Sequence, residues 1–382
     1  MDVRSHLDKL RAYIEAEDFK GYDPYDALNS PLLRALSFGR KYPRIVCTQL
    51  LRRLPVNLRP LLGIKKEWNP KGIGLFLWGY AKLYKIERNP EYLEKIEYLL
   101  DVLDRLKSDG YSGNCWGYNF DWQSRAFYLP KYTPTIVNSS FIGHALIDVY
   151  RYTANEKALA TAIPIKDFVL KDLNRTEENG IMCFSYTPID YTAVHNANLL
   201  GSSLLIRLYK YTNDVQLRQM AVASLAYSMH HQNDDGSWFY AETDYQRWID
   251  SFHTGFNLQS ILYFLEEGCA GEYREGFEKG VAFYEDNLFL KDGAPKYYHD
   301  RFYPLDIHSA AQAIVVFSGM RYESCAIRQR VADWMVKTLQ DRDGYFYFQK
   351  NRLYTNKVVY MRWAQAWAFH ALTSYWLSHT SE

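Results

Sequence analysis

Apolar residues recur every three or four positions in segments that follow one another along most of the chain, the spacing of helices with one buried face. Between these segments an acidic residue or Asn precedes Gly, and aromatic residues follow. These turn glycines are Gly110, Gly180, Gly236, Gly293 and Gly344. They lie 70, 56, 57 and 51 residues apart, and repeats of this size are typical of stacked supersecondary units.

Each predicted unit contains two helices and the loop that carries the turn. After every turn comes a Tyr-rich stretch, then a helix rich in small residues, then a more polar helix. The small-residue helices start near Gly72, Asn138, His195, His253, His308 and Arg362. Six such helices can close into a ring that leaves no exposed terminal repeat. We therefore predict an all-α fold, an (α/α)6 toroid with six inner and six outer helices. The alternative, an open solenoid, would need polar capping helices.

The repeat indicates one toroid domain rather than the two or three domains that 382 residues could form. Residues 1–68 are predicted to be an N-terminal helical arm with the first outer helix, and residues 69–382 the remainder of the toroid. The main helical segments of the arm are residues 9–19 and 31–53. We expect the second segment to supply the outer helix that closes the ring beside Gly72, and the part before it to form a contact for a homodimer.

Composition narrows the classes of partner. The formal net charge is +1 without a long run of one sign, so binding to nucleic acid has no electrostatic support. The apolar stretches are short and interrupted, so we expect no transmembrane helix. The five cysteines are scattered and odd in number, which argues against a disulfide framework. The charged N-terminus has no apolar signal-peptide core, and a cytoplasmic location is predicted.

Aromatic residues are frequent, with 33 Tyr, 20 Phe and 10 Trp, and many follow the turn glycines. In a toroid these loops lie at the mouth of the ring of helices. There the apolar face and polar tip of a Tyr or Trp side chain would suit a sugar. The alternative is that the rings only fill space between helices. The longest loop, residues 110–137, has a length that is usually functional, although its Asp121 and Arg125 could instead form a surface ion pair. The predicted substrate-binding residues are Trp116, Asp121, Trp122, Arg125, Asn138, Tyr191, His195, Trp238, Tyr240, Tyr303 and Trp363.

Three helix starts place a carboxylate before a histidine. These are Asp190 with His195, Asp250 with His253, and Asp306 with His308. Helix capping explains the Asp alone, but it does not explain a His in three repeats. A helix N-terminus disfavours protonated His, so these imidazoles are expected to be neutral and able to take or relay a proton. Pointing toward one axis, the three pairs would form a polar site at the ring centre.

The last helix start differs from these three. Arg362 stands where the others have His, two residues after Tyr360. A guanidinium on the axis suits a carboxylate such as that of a uronic acid. The alternative is a buried Arg that pairs with Asp250 or Asp306.

The reaction stays open between two kinds of chemistry. Cleavage of a glycoside usually needs two carboxylates, whereas proton abstraction beside a uronate carboxyl group needs a Tyr or His base and a group that neutralises the carboxylate. Histidines in separate repeats do not form a recognisable zinc motif, so neither a metal nor a cofactor is predicted. The predicted catalytic residues are Asp250, His253, Asp306, His308, Tyr360 and Arg362.

Residues 60–378 resemble the six-hairpin glycosidase-like superfamily. The resemblance rests on the repeat, the aromatic loops and the helix starts that carry Asp and His. Members of this superfamily include glycoside hydrolases, unsaturated uronyl hydrolases, polysaccharide lyases and sugar epimerases. The resemblance implies a carbohydrate-active enzyme that holds an oligosaccharide or polysaccharide in a central funnel. The expected reaction is glycosidic bond cleavage or uronate epimerisation. No single family's catalytic set overlays these residues.

A second resemblance is to the squalene and terpene cyclases, which are also α/α toroids. Residues 232–238 fit the Gln-x-x-x-Gly-x-Trp repeat of those proteins, and residues 340–346 fit its looser aromatic form. The Asp-x-Asp-Asp signature of the protonating cyclases is absent, so we interpret the motif as shared turn packing. An isoprenoid cyclase would require an apolar central cavity. A non-catalytic sugar-binding toroid would have no central groups within catalytic reach of each other.

Overall fold

Six inner helices form a closed ring in the structure, a computed structural model that describes residues 2–320 and 325–380. They are α4 (Pro70–Glu87), α6 (Ile136–Thr153), α9 (His195–Thr212), α11 (Ser251–Glu266), α13 (Ile307–Gly319) and α15 (Trp367–Thr380), the last after a π-helical turn at Met361–Ala366. Each inner helix packs against the next, and α15 packs back against α4. The predicted (α/α)6 toroid is confirmed.

Small residues allow these helices to approach closely. In α4 every residue from Pro70 to Leu83 is buried, because the helix has an inner neighbour on each side and an outer helix behind it. A β-carbon on Gly74 would press into Ile142 of α6, and one on Gly143 would press into Leu204 of α9. Such contacts explain why the inner helices are rich in small side chains rather than strongly amphipathic.

The outer layer surrounds this ring. Its helices are α1 (Val3–Ala16), α5 (Glu91–Arg105), α7 (Glu156–Ala162) with α8 (Ile165–Asp167) and a π-helical turn (Phe168–Asp172), α10 (Val215–His230), α12 (Arg274–Leu288) and α14 (Cys325–Leu339). Short 3-10 turns occur at Asp244–Gln246 and Gly271–Tyr273. In the described part of the chain, none of the helices combines the length and apolar character needed to span a bilayer.

The turn glycines connect one unit to the next. All five have left-handed backbone angles, with φ of 87°, 86°, 88°, 88° and 98° in chain order, a region that favours glycine. A β-carbon on Gly236 would collide with the backbone of Lys279 in α12, and one on Gly293 would collide with Arg330 in α14. The turns at Gly236 and Gly293 therefore pack directly against the outer helix of the following unit.

The first helix of the chain takes the outer position in the last unit. A β-carbon on Gly344 would collide with the backbone of Lys9 in α1, and α1 contacts α15. The prediction that residues 31–53 supply the closing outer helix is therefore wrong. Those residues lie outside the repeat, so the repeat spacing carried no information about their position.

The rest of the arm, residues 20–68, crosses the mouth of the ring. It contains a 3-10 turn (Asp26–Asn29), α2 (Pro31–Leu36) and α3 (Lys41–Arg53). Helix α3 contacts this 3-10 turn and the strand β1 (Trp122–Gln123) of the long loop. A buried ion pair between Arg59 Nε and Asp26 Oδ1, 2.7 Å apart, holds the arm together.

Three small antiparallel sheets lie in the loops of the described ranges. Strand β1 pairs with β2 (Tyr128–Leu129), and β3 (Arg175–Glu178) pairs with β4 (Ile181–Phe184). Strand β5 (Leu305–Asp306) pairs with β6 (Gln349–Lys350), which also pairs with β7 (Thr355–Asn356). The third sheet places Asp306 opposite Gln349 at the start of α13.

Candidate functional site

A cavity of about 410 Å³ opens at the N-terminal ends of the inner helices. The first turn of every inner helix contributes to its wall. These residues are Lys71 of α4, Val137 of α6, Asn196 of α9, His253 of α11, His308 of α13 and Arg362 before α15. The six helices thus converge on one funnel, and a residue that differs between repeats changes the chemistry of one side of it.

Aromatic rings line most of the remaining wall. Tyr240 and Trp248 stack with ring centroids 4.5 Å apart and planes 11° from parallel, which presents a flat face to the funnel. Further aromatic lining residues are Tyr25, Tyr118, Phe120, Trp122, Phe127, Tyr186, Phe252, Phe256, Tyr297, Tyr298 and Trp363. Such a wall offers apolar faces and hydroxyl tips together, which suits the C–H face and hydroxyl rim of a sugar.

Asp250 and His253 form a hydrogen-bonded pair at the start of α11. Asp250 Oδ1 accepts from the backbone N of His253 at 3.0 Å, and Oδ2 lies 2.6 Å from His253 Nδ1. Trp248 Nε1 also donates to Oδ2, at 2.9 Å. A carboxylate can only accept here, so it holds the proton on Nδ1 and leaves Nε2 as an acceptor. The side chain of His253 is 22% exposed and lines the cavity.

His308 lies deeper in the funnel and is surrounded by rings. It stacks on Phe252 at 4.6 Å and on Trp367 at 4.4 Å, and Trp363 meets it edge-on at 4.6 Å. Burial lowers the pKa of His308 well below its usual value, and the positive charges of Lys71 and Arg362 lower it further. Both ring nitrogens are buried without a hydrogen-bond partner among the described residues. Burial therefore favours the neutral imidazole of His308, and the described protein groups leave the hydrogen-bonding capacity of its two buried nitrogens unused.

Lys71 brings an amine to the floor of the funnel. Only 3% of the residue is exposed, and its Nζ lies 4.1 Å from the ring centre of Phe141 and 5.2 Å from those of Phe256 and Trp367. Burial lowers the pKa of Lys71 well below its usual value, and Arg362 adds to this effect. Cation–π contacts stabilise the charged form only in part, so an anionic ligand beside Nζ would favour the charged form that burial disfavours.

Arg362 is held by the arm rather than by the toroid. Its Nε donates to Asp23 Oδ2 at 2.6 Å and its Nη2 donates to Asp23 Oδ1 at 2.8 Å. The side chains are only 4% and 5% exposed. The expected alternative partners, Asp250 and Asp306, do not make this contact. Because Asp23 occupies two donors, Arg362 presents less of its guanidinium to a substrate than the sequence predicted.

Asp306 stands behind the funnel wall, although it caps its helix as Asp250 does. It accepts from the backbone N of His308 at 2.8 Å, from Gln349 Nε2 at 2.5 Å and from Trp363 Nε1 at 3.1 Å. Burial raises the pKa of Asp306 to about 6, against the effect of the Gln349 hydrogen bond. The carboxylate is fully buried and its oxygens are used by the protein, so it positions Trp363 and His308.

The third Asp/His pair is not brought to the funnel. Asp190 organises its own loop, where it accepts from the backbone N of Thr187 at 2.6 Å and of Thr192 at 2.8 Å. His195 is fully buried and is not among the cavity-lining residues, with Nε2 2.6 Å from Glu242 Oε1 and Nδ1 3.3 Å from Ser228 Oγ. Of the three predicted pairs, the cavity wall among the described residues therefore holds two histidines and one carboxylate instead of three of each.

The other predicted residues divide between the funnel and its surroundings. Those that line the cavity are Trp122, Arg125, Tyr240, Asp250, His253, His308, Arg362 and Trp363. Trp116 and Trp238 are core residues that donate to the carbonyl oxygens of Leu103 and Ser228. Tyr191 is 74% exposed.

Four further residues also lie off the cavity wall. Asp121 accepts from the backbone N of Lys131 at 2.8 Å and pairs with Arg34 at 3.2 Å. Tyr303 packs beside Phe302 on the surface. Tyr360 is buried with Arg59 over its ring. Asn138 is buried at the start of α6, and its amide has no hydrogen-bond partner within the described ranges.

Sequence reasoning missed the basic character of the funnel. Its described lining residues include five Lys or Arg and one Asp; these are Arg52, Arg53, Lys71, Arg125, Arg362 and Asp250. Lys71 directly precedes Gly72, so an alignment of the six helix starts could have found it. Arg52 and Arg53 come from the arm, which shares no repeat with the toroid and gave no comparable signal.

The chain is similar to known proteins of related architecture. Residues 50–237 match the family model "Beta-L-arabinofuranosidase, GH127 catalytic domain", just under half of the chain. No curated protein matches the chain. Among solved structures, cellobiose 2-epimerase from Bacillus thermoamylovorans B4167 has a TM-score of 0.62 and 16% identity, over 82% of this chain and 88% of that one.

Two other solved structures extend the likeness. The glycosyl hydrolase family 88 protein from Bacteroides vulgatus has a TM-score of 0.55 and 12% identity, over 86% of this chain and 96% of that one. The Lin0763 protein from Listeria innocua has a TM-score of 0.66 and 11% identity, over 100% of this chain and 99% of that one. The predicted six-hairpin glycosidase-like toroid is confirmed by the family match and these neighbours together.

Proposed function

We propose that this six-hairpin glycosidase-like toroid binds an anionic, uronate-containing oligosaccharide in its funnel, and that His253 moves a proton at a sugar carbon beside a carbonyl or carboxyl group. The family match and the neighbours, which include an epimerase, a lyase and a glycosyl hydrolase, bear out the prediction of a carbohydrate-active enzyme. The choice among these chemistries rests on the funnel itself.

The Asp250–His253 pair carries the proposal. General acid–base catalysis needs a side chain of suitable protonation state within reach of the substrate. The carboxylate of Asp250 fixes the proton of His253 on Nδ1, 2.6 Å away, which leaves Nε2 as the basic nitrogen of a residue that lines the cavity. Epimerisation and lyase elimination both begin with removal of a proton from carbon, and one oriented imidazole is sufficient for that step.

The charge of the funnel supports a uronate as the bound sugar. The funnel wall carries five basic residues, of which Arg362 is already paired with Asp23. Its one carboxylate among the described residues, Asp250, accepts three hydrogen bonds from the protein. Removal of a proton beside a carboxylate builds negative charge on its oxygens, which cations placed in advance stabilise. Lys71 would take this role once a bound carboxylate favours its charged form, because it is buried and forms no ion pair among the described residues.

Glycoside hydrolysis is the second candidate, and the match to a hydrolase family model favours it. Two carboxylates usually share that reaction. Within the described residues, however, Asp250 is the one carboxylate on the cavity wall, and Asp306 lies behind it. The same basic and polar wall argues against an isoprenoid cyclase, which needs an apolar cavity, and the Asp250–His253 pair argues against a purely binding toroid.

A reducing, cytoplasmic location is part of the proposal. Cys47, Cys115, Cys183 and Cys269 are all free thiols, as is typical of proteins from reducing compartments. Labelling of the thiols in protein taken directly from cells would report their state. Recovery of these cysteines in disulfides would contradict the proposed location.

The experiment that tests the function is turnover in deuterated water with uronate-containing and neutral oligosaccharides. Proton chemistry incorporates deuterium at carbon in an epimerised product, or yields an unsaturated uronate, and either is seen by NMR. We expect uronate substrates to react and His253→Ala to slow them by roughly 10²–10⁴-fold. The control is His230→Ala, which alters an exposed histidine at the end of α10.

The outcomes separate the candidates. New reducing ends without deuterium at carbon, formed at the same rate by His253→Ala, would overturn the proton-transfer mechanism in favour of hydrolysis. Preference for neutral over uronate sugars would overturn the assigned substrate class. Absence of both turnover and binding with any sugar would overturn the enzymatic proposal altogether.

A further inference from the structure

The arm displays an apolar stripe to solvent. Nine of the 17 strongly exposed large apolar side chains of the described chain lie within residues 32–61. In α3, Tyr42, Val46 and Leu50 are spaced four residues apart and therefore share one face of the helix. Their exposed fractions are 76%, 53% and 63%. A helix that packs on a toroid normally turns such residues inward and leaves polar ones outside, whereas α3 buries Leu51 but leaves these three apolar residues exposed.

The same segment is strongly basic. Residues 27–66 contain nine Lys or Arg and no Asp or Glu. Because the whole chain has a formal net charge of +1, the remainder carries a net charge of −8. Arg40 and Lys41 are exposed at the start of α3, and neither has an acidic partner among the residues that the structure describes. Basic charge is thus concentrated beside the apolar stripe.

This surface lies next to the mouth of the funnel. A different face of α3 carries Ile45, Gln49 and Arg52, which line the cavity. At the end of α3, the tip of the β6–β7 hairpin adds Leu353, 91% exposed, beside Tyr354, whose hydroxyl donates to the carbonyl oxygen of Arg53 at 3.3 Å. Whatever covers the apolar stripe would therefore also lie at the rim of the funnel.

We propose that this part of the arm docks the protein on the surface of an anionic lipid bilayer. The arm surface is defined by Leu32, Leu36, Phe38, Tyr42, Val46 and Leu50 with Arg40 and Lys41. A basic amphipathic helix of this kind lies in the plane of a bilayer, where its apolar face enters the headgroup boundary and its cations meet anionic lipids. The inference does not depend on the proposed function.

Charge selects the bilayer over a second copy of the chain. In a two-fold symmetric dimer the same patch occurs on both partners, so Arg40 and Lys41 of one copy would approach those of the other. An anionic lipid surface complements these cations. Duplex nucleic acid would also satisfy the charge, but it would leave the apolar stripe without a partner.

The experiment is flotation of the full chain with phosphatidylcholine vesicles, with and without added phosphatidylglycerol. We expect binding to the anionic vesicles at least about tenfold stronger than to the neutral ones, and weaker as salt rises. Val46→Ser with Leu50→Ser should weaken it at least about tenfold, as should Arg40→Glu with Lys41→Glu. Matched controls are Val215→Ser, an exposed apolar residue of α10, and Lys291→Glu, an exposed loop lysine.

Sedimentation of the same variants and binding to a duplex DNA complete the test. Unchanged melting temperatures show that the variants fold. A dimer that Val46→Ser with Leu50→Ser dissociates would overturn the proposal and assign the arm surface to the homodimer expected from the sequence. Binding to DNA but not to vesicles would overturn it in favour of nucleic acid. Absence of flotation with anionic vesicles also contradicts it.

Discussion

At the scale of the residue, Asp250 satisfies two demands with one carboxylate. Its Oδ1 caps α11 by accepting from the backbone N of His253, and its Oδ2 accepts from the imidazole and from Trp248. Capping and catalysis were alternatives in the sequence, and the geometry permits both. A substitution that keeps the cap and alters the charge can separate them.

Asp250→Asn is that substitution. Asn caps helices about as well as Asp, so the free energy of unfolding should change by no more than about 1 kcal/mol. An amide no longer fixes the His253 proton on Nδ1, so kcat on a sugar substrate should fall by roughly 10²–10⁴-fold. Asp214→Asn is the control, because Asp214 caps the outer helix α10 through its Oδ1 far from the funnel. Equal activity of both variants would show that Asp250 caps α11 but does not contribute to catalysis.

At the scale of the element, the turn glycines show how a local conformation positions a distant helix. Gly110 and Gly236 have nearly the same φ, 87° and 88°. A β-carbon on Gly110 would meet open space, whereas one on Gly236 would collide with the backbone of Lys279. The pair therefore separates the cost of the backbone conformation from the cost of the helix contact.

Gly110→Ala should cost about 1 kcal/mol, because Ala is strained at positive φ. Gly236→Ala should cost at least about 2 kcal/mol more, since α12 must also move away. Denaturant unfolding of both variants measures the difference. Equal losses of stability would show that the turn does not hold α12 in place.

The seam that closes the ring, between α4 and α15, contains a buried lysine. Lys82 Nζ donates to Ser374 Oγ at 2.5 Å and lies 3.2 Å from His370 Nδ1. Burial lowers the pKa of Lys82 to about 7. Between this value and about 10.4, the ordinary value of an unfolded lysine, the unfolded chain binds more protons than the folded one. The free energy of unfolding should therefore rise with pH across this window.

Lys82→Met removes this dependence. Relative to the variant, the wild type should gain up to roughly 1.4 kcal/mol of stability for each pH unit above about 7. Denaturant unfolding of both proteins near neutral pH and about two units higher gives the comparison. Lys291→Met, in an exposed loop, controls for the general loss of a lysine. A difference between wild type and Lys82→Met that stays constant with pH would contradict the prediction.

The elements were predictable where the repeat dictates them. The turns need glycine for their left-handed conformation, and the inner helices need small residues for close packing. Both residue types therefore recur at regular intervals in the sequence. The funnel wall was only partly predictable. Asp250 and Asp306 look alike in sequence, but Gln349 and Trp363 cover the second carboxylate. These covering groups come from other units, so no local pattern reports them.

His195 shows the same limit. It stands at a helix start as His253 does. However, Glu242 forms a hydrogen bond with its Nε2 and Ser228 with its Nδ1, so both imidazole nitrogens are used within the protein. Asp190 precedes it by five residues rather than by two or three, and bonds within its own loop instead. The separation differs visibly in the sequence, and it was the one sign that this pair is unlike the other two.

At the scale of the whole molecule, the arm and the ring are joined by buried charge. Asp23 accepts two hydrogen bonds from Arg362, while Arg59 Nη2 donates to the carbonyl oxygen of Asp23 at 2.9 Å and its Nε pairs with Asp26. The arm thereby completes the funnel with Arg52 and Tyr25. The contribution of the arm to the funnel was not predictable from the sequence. Asp23 and Arg362 are 339 residues apart, and no repeat relates their positions.

Asp23→Ala tests how strongly this connection holds. Removal of one partner leaves the Arg362 guanidinium buried and unpaired, which typically costs about 3–5 kcal/mol. Asp23→Ala with Arg362→Met removes both charges, so much of that stability should return. Glu17→Ala is the control, because its ion pair with Lys66 is 27% and 44% exposed and should be worth less than about 1 kcal/mol. If unfolding shows equal small losses for Asp23→Ala and Glu17→Ala, Arg362 must find another partner, and the arm does not depend on this contact to close the funnel.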